Sequence, residues 1–230
     1  MCFLHIRYKK QRIMKFYEKL EELSDQLSQE VIQIPFVQKV FSETIPEEAQ
    51  KDFHKQFICF YTQYYYWVKS VSPLFSIAAS KIPDDYRIVR DWFYKTAYYE
   101  YNHYDFIMND LKDLGVSETI VTSTKPNPAM DALIGYNHYF LNNHHPVGAL
   151  GTPLIMSGLS NQFSLKVADG LEKKLGTRLS FFDAHGHLDK DQPEDIAQIL
   201  KTVSDPNVHE EILFNIKTIN MLYINFLKSI

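Results

Sequence analysis

Two acid–histidine pairs carry the most promising chemistry in this chain: Glu100 with His103, and His185 with Asp189, spaced three and four residues apart. A helix advances about 100° per residue, so either spacing puts both members of a pair on one face. His187 lies between the second pair and points about 200° away from His185, so it belongs to the other side. Carboxylate oxygens and imidazole nitrogens together suit iron or manganese, and helical bundles hold such ions with pairs projected inward from separate helices. Each pair alone is equally an ordinary exposed or hydrogen-bonded pair. The chemistry therefore requires the two to meet in one enclosed space.

Other residues offer less. Tyr98, Tyr99, Tyr101 and Tyr104, with Tyr64, Tyr65, Tyr66 and Trp67, are numerous enough to line a pocket for an organic ligand or for radical chemistry. Their alternative is to fill the core with hydroxyls at its rim. His138, His144 and His145 gather near an expected helix end, where imidazoles cap free carbonyls or face solvent. His54 and His209 have acidic neighbours and read as surface positions, and Cys59 reads as a buried, inert thiol. No serine-nucleophile motif or phosphate-cradling glycine loop is present.

The elements that must position these groups are helical. At 230 residues and 45% hydrophobic the chain suits a single domain, expected over residues 15–230 behind a flexible segment 1–14. With 24 basic and 28 acidic side chains the net charge is −4, and the one short basic run, "RYKKQR" (7–12), reads as a solvated tail; no nucleic-acid partner is expected. Two cysteines cannot build a disulfide framework, which favours a reducing cytoplasm. No segment offers the roughly 18 uncharged apolar residues of a membrane span, so no membrane partner is expected. Glycines are few, and no alternating β-branched run reads as a sheet.

Phe16, Leu20, Leu23, Leu27 and Val31 recur at three- and four-residue steps and predict a first helix ahead of Pro35, with "PFVQKVFS" a shorter second piece. A long aromatic helix is predicted through Phe53, Phe57, Phe60, Tyr64 and Trp67, breaking at Pro73. A helix of about 30 residues is predicted from Pro83 to Gly115, followed by an irregular connection "VSETIVTSTKPNP". Further helices are predicted after Pro128, across "GALGTPLIMSGLS" up to Gly176, through "DAHGHLD" and "IAQILKTV", and after Pro206. The sum is an all-α, multi-helix bundle.

The segments "YYEYNHYDFIMNDLKDLG", "GALGTPLIMSGLS" and "FFDAHGHLDKDQPEDI" resemble the heme-oxygenase-like fold, with its TenA, PqqC and CADD-like relatives and its diiron oxidase branch. The resemblance runs from about residue 15 onward and implies an iron-dependent oxidase or oxygenase of a small organic molecule. In that pattern His103, His185 and Asp189 fall on ligand positions. The expected carboxylate seven residues before His103 is Thr96, with Glu100 one turn nearer; the middle-helix glutamate is Ser157, and the final histidine is Gln192. What the resemblance implies is a metal set of Glu100, His103, His185 and Asp189, with Ser157 and Gln192 lining it and one iron or manganese bound. The alternative is a metal-free TenA-like protein that binds a small molecule or partner without turnover. TenA thiaminases use a cysteine on the small-residue helix and heme oxygenases a histidine on the first helix; this chain has neither. A homodimer is also expected.

Overall fold

A computed structural model describes the backbone of residues 2–188 and 192–230 and the side chains of residues 11–187 and 194–230. Every regular element among the described residues is helical: α1 (Cys2–Gln33), α2 (Pro35–Phe41), α3 (Glu47–Lys81), α4 (Arg87–Tyr99), α5 (Tyr104–Asp113), α6 (Glu118–Ser123), α7 (Pro128–Asn143), α8 (Gly151–Leu175), α9 (Ser180–Leu188), α10 (Gln192–Leu200) and α11 (Pro206–Lys228). Short 3₁₀ turns occupy Asp84–Tyr86, Glu100–Asn102 and Pro146–Leu150.

Local chemistry sets several boundaries. Asn127 and Asp205 cap α7 and α11 by accepting the amides of Met130 and Asn207, and each cap is followed by a proline whose missing N–H costs nothing there. Helix α8 stops where Gly176 turns left-handed at φ 74°, a conformation that a Cβ would penalise. The aromatic repeat of α3 puts Phe53, Phe57 and Tyr61 in the fully buried core, and α3 packs against α4, α5 and α7. Helix α11 packs against α1, α7 and α8, while α9 lies on α8 and α5. Each buried aromatic ring contributes about 1.5–3 kcal/mol of transfer free energy, and this interior of rings binds the two halves of the chain together.

The structure departs from the sequence expectations in five places. Helix α3 does not break at Pro73 but runs to Lys81. Pro73 is exposed, and the roughly 3 kcal/mol cost of an interior proline is set against Leu74, Phe75, Ala78 and Ala79, all buried beyond it. The helix expected from Pro83 to Gly115 is split by the 3₁₀ turn at Glu100–Asn102. The "VSETIVTSTKPNP" connection contains α6, nucleated by Ser117, whose side chain accepts the amide of Ile120. Cys59 is exposed on the outer face of α3 and His209 is buried, the reverse of what was expected for each.

His209 Nε2 donates to the carbonyl of Val203 at 2.7 Å, and its ring stacks on Phe16 of α1 with centroids 4.0 Å apart. Burial, opposed by that hydrogen bond, holds the imidazole below its ordinary range. In acid the unfolded chain therefore takes up the proton more readily than the native one. The contribution of His209 is fully present above about pH 6.5 and is lost as the pH falls below it. The urea midpoint should accordingly drop more between pH 8 and pH 5.5 in the wild type than in His209→Gln, whose amide can still donate to Val203. Equal drops in the two proteins would show that His209 does not set this slope.

Candidate functional site

The 3₁₀ turn at Glu100 is where the first pair is built. A 3₁₀ helix has three residues per turn, so residues i and i+3 eclipse rather than sit 60° apart as in an α-helix. Glu100 and His103 are thereby superposed, and Glu100 Oε2 lies 2.8 Å from His103 Nδ1. Both are shielded, Glu100 being 9% exposed.

The second pair contributes His185 from the middle of α9. His185 is buried, its ring stacks on Phe181 with centroids 3.9 Å apart, and its Nδ1 donates to the Phe181 carbonyl at 2.8 Å. A carbonyl can only accept, so this contact fixes the tautomer and leaves Nε2 as a lone-pair donor. That lone pair faces His103 Nδ1 at 3.1 Å. Donor atoms of Glu100, His103 and His185 lie within 4.8 Å of one another. Two neighbouring octahedral ligands at about 2.1 Å from one ion stand about 3.0 Å apart, so the contacts of 2.8 and 3.1 Å have the separation an ion would impose. A histidine whose second nitrogen is anchored to a carbonyl is also the usual outer support of a metal ligand. The donor types and the two close contacts fit an iron-sized ion, and drawing the widest pair of donors to within about 4.2 Å would complete the set.

Of the residues singled out in the sequence, three therefore meet. His187 is exposed, as its position on the far side of α9 requires. Asp189 lies outside the described residues, as does the side chain of Gln192. Thr96 is buried on α4, and Glu100 rather than Thr96 is brought to His103. Ser157 lines an apolar cavity of about 160 Å³ that also has Glu100 and His185 in its wall. Tyr64 and Trp67 line this cavity, whereas Tyr98, Tyr99 and Tyr101 are exposed and take no part. His144 pairs with Glu211 at 3.0 Å between the rings of Phe140 and Phe214, apart from the triad.

Asp110 was not anticipated. It is 2% exposed, and its carboxylate accepts four hydrogen bonds: from the Ser180 amide and hydroxyl, both at 2.7 Å, from the Phe181 amide at 3.0 Å, and from the Tyr61 hydroxyl at 2.5 Å. Burial first, and the adjacent Asp110 charge second, push the Tyr61 phenol well above its ordinary range, so it stays a donor. Ser180 and Phe181 open α9, so Asp110 caps the helix that carries His185, and a carboxylate suits the positive end of a helix dipole. Seven residues separate Asp110 from His103, two turns along one face, and that spacing was the available signal. On the opposite flank, Gly186 lets α9 settle on α8: a Cβ there would stand 2.5 Å from Leu165.

Residues 59–222 match a family model described as iron-containing redox enzyme. No curated protein matches the chain by sequence. Among solved structures, a protein of unknown function with a heme oxygenase-like fold from Shewanella denitrificans superposes with a TM-score of 0.78 at 17% identity, covering 94% of this chain and 90% of that one. A CADD-like protein from Nostoc punctiforme gives 0.73 at 16% identity, covering 94% and 96%. A TenA homologue from Pseudomonas syringae gives 0.72 at 14%, covering 93% and 91%. The bundle is thus the heme-oxygenase-like fold expected from the sequence.

Replacing Asp110 by Asn exchanges one accepting oxygen for an NH₂ group that must face donors. The expected cost is about 3 kcal/mol of unfolding free energy, measured by urea denaturation, against about 1 kcal/mol for Tyr61→Phe. A loss below 1 kcal/mol in Asp110→Asn would show that the carboxylate does not hold α9.

Proposed function

The chain belongs to the iron-containing redox enzyme family, and on that premise we propose that it is an oxidase or oxygenase of a small organic molecule, using one iron held by Glu100, His103 and His185. The observation that carries this reading is the convergence of those three donors from two separate segments, with the His185 lone pair aimed inward by its anchor on Phe181. Bound iron would supply electrons to dioxygen and a Lewis-acid position next to the cavity.

The chain's own residues do the rest. Glu100 brings the anionic oxygen that offsets the ion's charge, and the two imidazoles complete a mixed oxygen and nitrogen set suited to iron or manganese. Phe181 orients His185 and, with Phe182, walls the site from solvent. Asp189, one turn beyond His185 in sequence, is proposed as a further ligand. A single ion rather than a pair is favoured because Ser157, which lines the same cavity, brings a neutral hydroxyl where a second ion would need an anion. No helix among the described residues is long and apolar enough to cross a membrane; with only two cysteines in the chain, we place the protein in the cytoplasm.

One observation favours a second reading. Glu100 Oε2 and the His185 Nε2 lone pair lie 2.8 and 3.1 Å from His103 Nδ1, whose one hydrogen they can share, so the three groups hold together without an ion. In that case the site is the polar end of a ligand-binding cavity and catalyses nothing.

Anaerobic reconstitution with Fe(II), desalting and elemental analysis separate the two. The wild type should retain about one iron per chain, His185→Ala should retain almost none, and His187→Ala, altered on the exposed side of α9, should match the wild type. A wild type that retains no iron, or a His185→Ala protein that keeps it, overturns the iron reading.

A further inference from the structure

The cavity beside the triad has a size, a polarity and a charge, and together they restrict what it takes. Its volume is about 160 Å³, close to the engineered apolar cavity of about 150 Å³ that holds one benzene molecule. One wall is aromatic, with Phe57, Phe60 and Trp67 presented by α3. Helix α8 adds a row of three serines, Ser157, Ser160 and Ser164, at spacings of three and four that put them on one face, set among Met156, Leu159, Phe163 and Val167 in the same lining. Glu100 and His185 stand in the same lining. Among the described residues, neither lysine nor arginine reaches this wall.

A buried anionic guest would therefore meet the Glu100 carboxylate with no lysine or arginine to offset either charge, and with iron bound the Glu100 and Asp189 carboxylates proposed as its ligands already balance its two charges. Burying an unpaired charge is far more costly than burying a neutral polar group. A neutral guest meets no such penalty. Rings stack on the aromatic side at low entropic cost, and one hydroxyl or amine on the guest can exchange hydrogen bonds with the serine row. We propose that the substrate of this site is a neutral molecule of about one aromatic ring, carrying a hydroxyl or uncharged amine, seated between the α3 rings and the α8 serines. The proposal names the substrate class for the oxidase reading given above and rests on it for turnover, but the binding itself depends only on the cavity.

Calorimetric titration of metal-free protein with p-cresol, benzoate, benzylamine and 2-naphthol tests it. p-Cresol should bind saturably, and each of the other three should bind at least about tenfold more weakly: benzoate through its charge, benzylamine through desolvation of its ammonium, 2-naphthol through its second ring. Ser160→Phe, which fills the cavity, should lose p-cresol binding while melting as a cooperative unit; if that variant does not fold, Val71→Phe on the aromatic side serves in its place. Benzoate or benzylamine binding as tightly as p-cresol overturns the neutral-guest rule, and 2-naphthol binding as tightly overturns the size. Absence of binding by all four probes, or p-cresol binding untouched by the filling variants, overturns the proposal outright. Because the titration is made without metal, a protein that fails to retain iron but binds p-cresol sinks only the oxidase reading, and one that retains iron but binds no probe sinks only this one.

Discussion

The whole site depends on one buried carboxylate holding the start of one short helix. Helix α9 has nine residues, too few to persist alone in water, and it carries the only donor of the triad that does not come from the Glu100–His103 turn. Asp110 fixes where α9 begins by accepting the amides of its first two residues, and because Asp110 and His103 share a helical face, the same stretch of chain that presents one imidazole also sets the position of the other. Phe181 links the two levels: its amide is held by Asp110, and its carbonyl and ring hold His185. Tyr61 ties this arrangement to α3, the central helix of the bundle.

A second constraint acts on the other arm of the site. The 3₁₀ turn closes Glu100 onto His103 by backbone geometry, so that contact does not depend on a third element. The site thus joins one locally determined pair to one remotely determined partner. The Arg178 side chain adds a weaker tie, bridging Asp169 and Glu172 of α8 to Asp183 of α9, but it is about two-fifths exposed, and exposed ion pairs of this kind contribute little.

Much of the fold was legible because helices announce themselves by period. The α3 and α1 faces, the proline-led starts of α7 and α11 and the glycine stop of α8 all follow from local chemistry, and the structure has each of them. Pro73 misled because the packing of Leu74 through Ala79 overrides a local preference, and α6 was missed because six residues are too few to show a period. For the site, spacing alone identified Glu100, His103 and His185, but not the reason they meet. Asp110 acts across the chain on Ser180 and Phe181, seventy residues away, and no local pattern records such a contact. His209 was read as exposed from its acidic neighbours in sequence, whereas its true neighbour is Phe16 on α1.

The serines of α8 can also satisfy one another, as the 3.0 Å contact between Ser160 and Ser164 shows. An empty cavity consequently leaves those two hydroxyls in partnership, and a visitor's polar atom can take up a hydroxyl hydrogen that swings toward it. Recognition of this sort tolerates variation in where the visitor's polar atom sits, and it leaves the placing of the visitor's ring to the aromatic side.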